Sequence, residues 1–132
     1  MSVTRPPKHA GMRHIALRVK DMQAMEHFYM DLMGMEVEWR PDPDNVYLCS
    51  GNDNLALHRV PEPLAETSRQ SLDHLGFIIP EIDQVSQWYA FLVSRGVAMK
   101  TQPRTHRDGA RSFYCYDPDG NVVQIIHHPP IA

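Results

Sequence analysis

Two stretches of the chain repeat the same order of hydrophobic and polar positions, sixty residues apart. The first begins with HIALRV at His14 and the second with HLGFII at His74, and each leads into a segment with apolar residues three and four positions apart. A short apolar run that alternates with polar residues predicts a strand, and the three-and-four spacing predicts an amphipathic helix. The pattern therefore indicates an internal repeat in which each copy starts with a strand and a helix.

Each predicted helix has one apolar face and is followed by a glycine. Gly34 and Gly96 stand where helices commonly end in a residue that adopts a positive φ. The apolar positions are Met22, Met25, Phe28, Tyr29 and Leu32 in the first helix, and Ile82, Val85, Trp88, Tyr89 and Leu92 in the second. These faces predict that both helices pack against a sheet.

Three more strand-like segments follow each glycine, at 36–40, 46–49 and 54–59 and then at 97–100, 111–116 and 121–127. The chain is therefore predicted to be an α+β protein with two tandem βαβββ modules, residues 12–60 and 72–128, joined by a linker at 61–71. Residues 12–132 are expected to form one domain, and the polar, proline-containing residues 1–11 a flexible N-terminal segment. Neither module can bury its sheet alone, so the two are expected to pair.

Composition narrows the possible partners and the compartment. The 132 residues include 13 Lys and Arg against 16 Asp and Glu, giving a net charge of −3, which argues against nucleic acid or an anionic membrane as a partner. No segment approaches the ~20 apolar residues of a membrane-spanning helix. Cys49 and Cys115 fall in strand-like segments, where buried thiols are a better interpretation than a disulfide. A cytoplasmic protein is expected.

Three polar residues in the predicted strands are candidates for metal binding. His14 and His74 occupy the same place in the two copies, and Gln124 interrupts the apolar strand near the end of the chain. Counting back five residues from Pro61 and Pro129 makes Ala56 the counterpart of Gln124, although a one-residue slip would substitute Leu57. Two imidazoles and an amide oxygen can bind a divalent metal ion and leave positions for substrate. Hydrogen-bonded structural side chains are the alternative interpretation.

The repeat, the two histidines and the DPDGN turn at 117–121 together resemble the vicinal oxygen chelate superfamily over about residues 12–128. That superfamily includes glyoxalase I, bleomycin- and fosfomycin-resistance proteins and extradiol ring-cleaving dioxygenases. The resemblance implies that the two modules form a cup-shaped, half-open β-barrel with the helices outside. It also implies a metal ion in the cup and often a homodimer.

The segment from His106 to Gln124 is similar to the extradiol dioxygenase signature, which runs from a His through a Tyr and an acid-Pro-x-Gly turn to a metal-binding Glu. The resemblance implies that His14 and His74 are iron ligands, with Gln124 in the place of the third. It implies that Tyr114 and His106 contact the substrate oxygens. Fe(II) is the expected metal, with Mn, Zn or Ni as alternatives.

Two departures from the dioxygenase pattern affect the predicted chemistry. Gln124 is neutral where the signature has Glu, so Fe(II) should be held more weakly. Extradiol enzymes often carry two histidines where this chain has Asn52 and Asp53, so Asp53 is a candidate substitute base. His58, on the same predicted face as Ala56, is a candidate alternative ligand, with a structural role as the other interpretation.

Three functions remain open on the sequence. The first is a metal-dependent oxidoreductase of the extradiol dioxygenase type, acting on a small aromatic diol. The second is a glyoxalase-like lyase or isomerase using Zn²⁺, Ni²⁺ or Mn²⁺, which the lack of a carboxylate at Ala56 disfavours because that enzyme places its ligand and base there. The third is a metal-free protein that binds or sequesters a small molecule, as bleomycin-resistance proteins do.

Overall fold

The computed structural model describes residues 4–5, 7, 11–60 and 72–131 of the chain. The expected flexible N-terminal segment at 1–11 lies mostly outside the described residues, and the expected linker at 61–71 lies wholly outside them.

Each module contains a strand, a helix and three further strands. The first comprises β1 (His14–Val19), α1 (Met22–Glu26) with a π-helical continuation (His27–Leu32), β2 (Glu36–Asp42), β3 (Asn45–Cys49) and β4 (Asn54–Arg59). The second comprises β5 (Leu75–Ile78), α2 (Gln84–Ser94), β6 (Arg104–Thr105), β7 (Arg111–Tyr116) and β8 (Val122–His127). The strand orders are β1-β4-β3-β2 and β5-β8-β7-β6, and the first and last strands of each module pair in parallel. The predicted α+β class and tandem βαβββ order are confirmed, with two four-stranded sheets that do not close into a full barrel.

The strand registers make Ala56 and Gln124 equivalent positions in the two sheets. Residues that pair across neighbouring strands lie on the same face of a sheet. In each sheet the last strand pairs at this position with the first strand on one side and with the third on the other. The equivalent positions are Ala16 and Gly76, Ala56 and Gln124, and Tyr47 and Tyr114. The register with Ala56 is therefore the correct one, and the alternative with Leu57 is excluded.

The strand expected at 97–100 does not form. Met99 makes only an isolated bridge with Cys115, and the ladder resumes at the two-residue strand β6. The N–H groups of both Lys100 and Thr101 donate to the carbonyl oxygen of Tyr114, at 2.9 and 3.1 Å, which adds an extra residue to one side of the ladder. Pro103, two residues beyond Thr101, has no N–H to donate to a ladder. The apolar pattern predicted a strand here because it does not reveal such a bulge.

The first helix changes its hydrogen-bonding pattern partway along. The N–H of Met33 donates to the carbonyl of Phe28, five residues earlier, at 2.9 Å, as in a π-helix. All five predicted apolar positions of this helix are buried against the sheet. In the second helix Val85 and Leu92 are buried, whereas Ile82 precedes α2 and is exposed, so its predicted place on the buried face is wrong.

The DPDGN turn joins the two modules. The carboxylate of Asp117 is buried and accepts hydrogen bonds from the Tyr29 hydroxyl at 2.8 Å, from the N–H groups of Asp119 and Asn121 at 2.9 Å, and from the Asn121 amide at 2.8 Å. The carboxylate of Asp119 accepts the N–H of Lys20 at 2.8 Å. The turn of the second module is therefore held against β1 and the first helix of the first module.

Burial keeps two neighbouring groups of this region protonated. Burial, reinforced by the charge of Asp117, raises the pKa of the Tyr29 hydroxyl far above its usual value. The same two causes raise the pKa of the Cys115 thiol to about 12. Tyr29 therefore remains a hydrogen-bond donor to Asp117 at neutral pH, and Cys115 is an unreactive core thiol because only the thiolate is nucleophilic.

Candidate functional site

The candidate residues lie on the face of each sheet that is turned away from the helices, here called the open face. In β1 the side chains of Leu17 and Val19 are buried in the core, and the alternate positions His14, Ala16 and Arg18 are exposed. Side chains alternate across a strand, so these three share the open face. The register then places Ala56, Tyr47 and His58 on the same face. In the second sheet the open face carries Gly76, Tyr114 and Gln124.

His14 is held by a chain of hydrogen bonds within the first sheet. Its Nδ1 lies 2.7 Å from Oδ1 of Asn54, and the amide nitrogen of Asn54 donates to a carboxylate oxygen of Glu38 at 3.0 Å. An amide oxygen only accepts, so Nδ1 of His14 carries the proton. In the neutral ring with this tautomer, Nε2 carries the lone pair with which histidine binds a metal ion.

His74 has the same arrangement in the second sheet. Its Nδ1 lies 2.7 Å from a carboxylate oxygen of Asp73, so this nitrogen is also the protonated one. Its ring meets the ring of Tyr114 edge to face, with centroids 5.3 Å apart. A carboxylate bound to Nδ1 fixes the orientation of the ring and makes Nε2 a better metal ligand. Both histidines thus present Nε2 as a free donor atom.

Gln124 is oriented by Ser112, which also binds His106. The amide nitrogen of Gln124 donates to the Ser112 hydroxyl oxygen at 3.1 Å, and Nε2 of His106 lies 2.8 Å from the same oxygen. Ser112 is buried, so these two bonds satisfy it within the sheet. With its nitrogen directed to Ser112, Gln124 has its Oε1 available as an oxygen donor atom. His106, Ser112 and Gln124 form one polar row beside Tyr114.

Small residues keep space open beside Gln124 and at the equivalent place in the first sheet. A methyl group added at Gly76 would lie 3.3 Å from the backbone oxygen of Gln124 and 3.6 Å from its Cβ. Ala16 occupies the equivalent position in β1 and is exposed. Larger side chains at these two positions would crowd the open faces, so the sequence keeps room for a ligand there.

The second sheet assembles most of the predicted site, and His14 lies on the first. His74, Tyr114, Gln124 and His106 form a continuous group, and no hydrogen bond or ring contact among the described residues links His14 to it. In the described part of the chain, no three His, Cys, Asp or Glu side chains are placed to hold a metal ion. Two imidazoles and an amide are a different set, and their donor atoms, two Nε2 and one Oε1, fit a divalent metal that accepts nitrogen and oxygen ligands.

The two secondary candidates have structural partners. Nδ1 of His58 lies 2.6 Å from Oδ1 of Asn45, and its ring meets that of Tyr47 edge to face. His58 is four residues beyond Asn54, the partner of His14, which places the two histidines on rows about 13 Å apart. The Asp53 carboxylate accepts the N–H of Ser50 and stabilises the turn between β3 and β4. Neither observation favours a ligand or base role.

The sequence pattern missed the residues that hold the candidates in place. Asn54, Asp73 and Ser112 each contact a predicted site residue, but only the first two could have been noticed. Asp73 directly precedes His74, and Asn54 belongs to the strand expected to lie beside His14. The contacts of Ser112 depend on the pairing of β7 with β8, which the sequence alone does not specify.

Comparison with known proteins agrees with the fold. The sequence model of the Glyoxalase/Bleomycin resistance protein/Dioxygenase superfamily matches residues 11–125. The chain belongs to this superfamily. Its members bind small-molecule substrates and commonly use divalent metal ions. A comparison with curated protein sequences finds no significant match.

Solved structures of this superfamily share the fold across almost the whole chain. The lactoylglutathione lyase of Agrobacterium tumefaciens is 22% identical with a TM-score of 0.74, covering 93% of this chain and 96% of its own. A glyoxalase-related enzyme of Fulvimarina pelagi is 23% identical with a TM-score of 0.75, covering 92% and 90%. A fosfomycin resistance protein of Listeria monocytogenes is 19% identical with a TM-score of 0.73, covering 92% and 95%. At these identities the likeness concerns the fold alone.

None of the helices in the described part of the chain has the length and hydropathy needed to span a bilayer.

Proposed function

We propose that this superfamily member is a metal-dependent oxidoreductase of the extradiol dioxygenase type, acting on a small aromatic diol. The observation that carries the proposal is the group formed by His74, Tyr114, Gln124 and His106 on one open face. Tyr114, His106 and Gln124 lie in the segment that is similar to the dioxygenase signature, and the superfamily resemblance implies that His74 is a metal ligand. His14, with the same protonation at Nδ1 as His74, is proposed as the remaining ligand.

The metal proposed for this site is Fe(II), held by Nε2 of His14, Nε2 of His74 and Oε1 of Gln124. When bound, it would supply the Lewis acidity and the electron transfer that ring opening by dioxygen requires. Mn, Zn or Ni are alternatives on the same donor atoms. Because the Gln124 amide is neutral, the chain supplies no anionic ligand, and the charge of the site depends on an ionised diol.

Tyr114 and His106 are proposed to handle the diol protons. Tyr114 pairs across the strands with Gln124 and packs against His74, so its hydroxyl belongs to the open face that the substrate would enter. Nε2 of His106 binds Ser112, which leaves Nδ1 of His106 to exchange a proton with the substrate. A side chain positioned for proton transfer contributes roughly 10²- to 10⁴-fold to a rate.

A glyoxalase-like lyase or isomerase has less support. Ala56 places no carboxylate at the position equivalent to Gln124. Glu38 is the carboxylate that reaches the His14 network, and its described contact is with the Asn54 amide, which already binds His14. A base for abstracting a proton from carbon needs a free acceptor aimed at the substrate.

Oxygen consumption tests the proposed function. Protein purified without a polyhistidine tag is loaded with Fe(II) under anaerobic conditions and mixed with a panel of catechols in an oxygen electrode. We expect one dioxygen consumed per catechol, with Tyr114→Phe and His106→Ala each lowering the rate by about 10²-fold or more. Arg95→Gln, at the C-terminal end of α2, serves as the control variant.

Two results would contradict the dioxygenase proposal. One is the absence of oxygen uptake with every catechol in both the unmodified chain and Gln124→Glu. The other is uptake that is unchanged in Tyr114→Phe and His106→Ala. Tight catechol binding without metal and without oxygen uptake would instead support a metal-free binding protein.

We further propose that the protein is a cytoplasmic homodimer. The resemblance to dimeric superfamily members supports the dimer, which light scattering coupled to size-exclusion chromatography would measure. Cys49 and Cys115 are both free thiols, as is usual in a reducing compartment.

A further inference from the structure

We propose that Arg104 is a specificity-determining residue that binds a carboxylate on the substrate ring, so that the diol is a carboxylated catechol. The inference rests on the proposed function for the identity of the diol. The carboxylate site itself is argued from the second sheet alone, and binding measurements test it without turnover.

Arg104 lies on the open face of the second sheet, directly beside the candidate site. It is the partner of Ser112 in the pairing of β6 with β7, and residues paired across strands share a face. Ser112 in turn binds both His106 and Gln124. His106 follows Arg104 by two positions, so the alternation of side chains also places these two on one face. Arg104 therefore extends this polar row at the edge of the sheet.

The guanidinium of Arg104 is free to meet a ligand. Arg104 is exposed and makes no hydrogen bond or ion pair with any described residue. Arg111, on the neighbouring strand, lies on the opposite face, where its guanidinium donates to the hydroxyls of Thr105 and Ser86 at 3.1 and 3.2 Å. The pair of strands thus carries one engaged guanidinium and one unengaged guanidinium, and the unengaged one faces the site.

Positive charge is concentrated in this part of a chain that is acidic as a whole. Residues 100–111 contain four Lys or Arg residues and one Asp, whereas the chain has 13 Lys and Arg against 16 Asp and Glu. The acidic residue of this segment, Asp108, accepts the N–H of Ala110 at 3.0 Å in the turn beyond β6. A local excess of positive charge attracts anions, and a guanidinium binds a carboxylate through two parallel hydrogen bonds. The segment therefore favours an anionic group on the substrate.

The strand register sets how such a substrate would lie. Arg104 and Gln124 are on strands separated by β7 and are offset by two residues, which puts their Cα atoms about 12 Å apart. Both side chains rise from the same face, so a catechol with a carboxylate opposite its hydroxyls can span the gap between them. At the other end of the site, the Asp73 carboxylate bound to His74 repels an anion. The diol would then lie towards Gln124 and His74, and the carboxylate towards Arg104.

Binding to the metal-free protein tests the carboxylate site separately from catalysis. After treatment with a chelator, ¹⁵N-labelled protein is titrated with 3,4-dihydroxybenzoate and with its neutral isostere 3,4-dihydroxybenzamide. The backbone N–H signals of Thr105 and Ser112 are followed by NMR. We expect the carboxylate to shift these signals and to bind about 10-fold or more tightly than the amide, because the charge-assisted bond to Arg104 is lost with the amide.

Substitution identifies the charge responsible. Arg104→Gln should abolish the preference for the carboxylate over the amide. Arg111→Gln, the matched control on the opposite face of the neighbouring strand, should keep it. Equal affinity for the two ligands, no binding of the carboxylate by the unmodified protein, or an unchanged preference in Arg104→Gln would each overturn the proposal.

The outcomes also separate this site from the proposed activity. If the carboxylate preference is found but oxygen uptake fails, the carboxylate site stands and the dioxygenase activity does not. If oxygen uptake is found without the preference, the dioxygenase activity stands and Arg104 does not select the substrate.

Discussion

Replacing Asp117 with alanine will lower the free energy of unfolding by about 3–5 kcal/mol, which is a large part of the stability of a domain of this size. The Asp117 carboxylate accepts four hydrogen bonds, and one of the donors, the Tyr29 hydroxyl, has no exposed surface. Each buried donor left without a partner costs about 1–3 kcal/mol, and those of the turn recover part of this cost by binding water. The loss should also loosen the contact between the modules.

Chemical denaturation monitored by circular dichroism measures this effect. Tyr29→Phe removes one of the four bonds and should cost about 1–2 kcal/mol. Asp119→Ala is the matched control in the same turn, because it loses only the bond to the Lys20 N–H and should cost less than about 1 kcal/mol. A loss in Asp117→Ala no larger than that in Asp119→Ala would show that the turn does not hold the modules together.

Replacing Gln124 with glutamate will increase the affinity for Fe(II) by about 10- to 100-fold, because metal affinity depends on the number of charged ligands and on their support. The change also reverses a hydrogen bond. The Gln124 amide donates to Ser112, whereas a carboxylate must accept the Ser112 hydrogen. Nε2 of His106 must then donate to the same oxygen, so the substitution fixes the tautomer of His106.

Anaerobic Fe(II) titration of the two proteins measures the affinity change, and NMR of ¹⁵N-labelled histidine reports the tautomer. Gln124→Met, which has a similar volume and lacks the oxygen donor, is the opposing variant and should bind Fe(II) more weakly than the unmodified chain. Equal Fe(II) affinity in all three proteins would mean that the side chain at 124 does not contact the metal.

The repeat made the fold predictable from particular residues. Two histidines, two aromatic pairs and two glycines at matching places fixed the order of strands and helices, and Gly34 and Gly96 do adopt positive φ. The equivalence of Ala56 in the first module and Gln124 in the second was predicted from the positions of two prolines. The strand pairing confirms it. The sequence predicted these features because strand alternation and helix periodicity are local properties of a chain.

The contacts within the candidate site were harder to predict from the sequence, because they join residues that are far apart along the chain. The bonds of Ser112 to His106 and Gln124 depend on a strand register that no spacing specifies, and the bond of Tyr29 to Asp117 spans 88 residues. The bulge at Lys100 and Thr101 was missed for a similar reason. It forms because one carbonyl accepts two N–H groups, and the order of apolar and polar residues does not indicate this. The stack of the exposed Trp39 on Tyr47 likewise depends on the pairing of β2 with β3, which the sequence does not specify.

Metal stoichiometry tests the central claim, that His14 and His74 hold a metal ion, most directly. Tag-free protein is equilibrated with Fe(II) without oxygen, passed through a desalting column and assayed for bound iron, with circular dichroism confirming that each variant is folded. We expect one iron per chain in the unmodified protein, at least a 100-fold loss of affinity in His14→Ala and in His74→Ala, and full binding in the control His128→Ala. Absence of bound iron in the unmodified protein, or iron binding that persists in both His14→Ala and His74→Ala, would contradict the proposed metal centre.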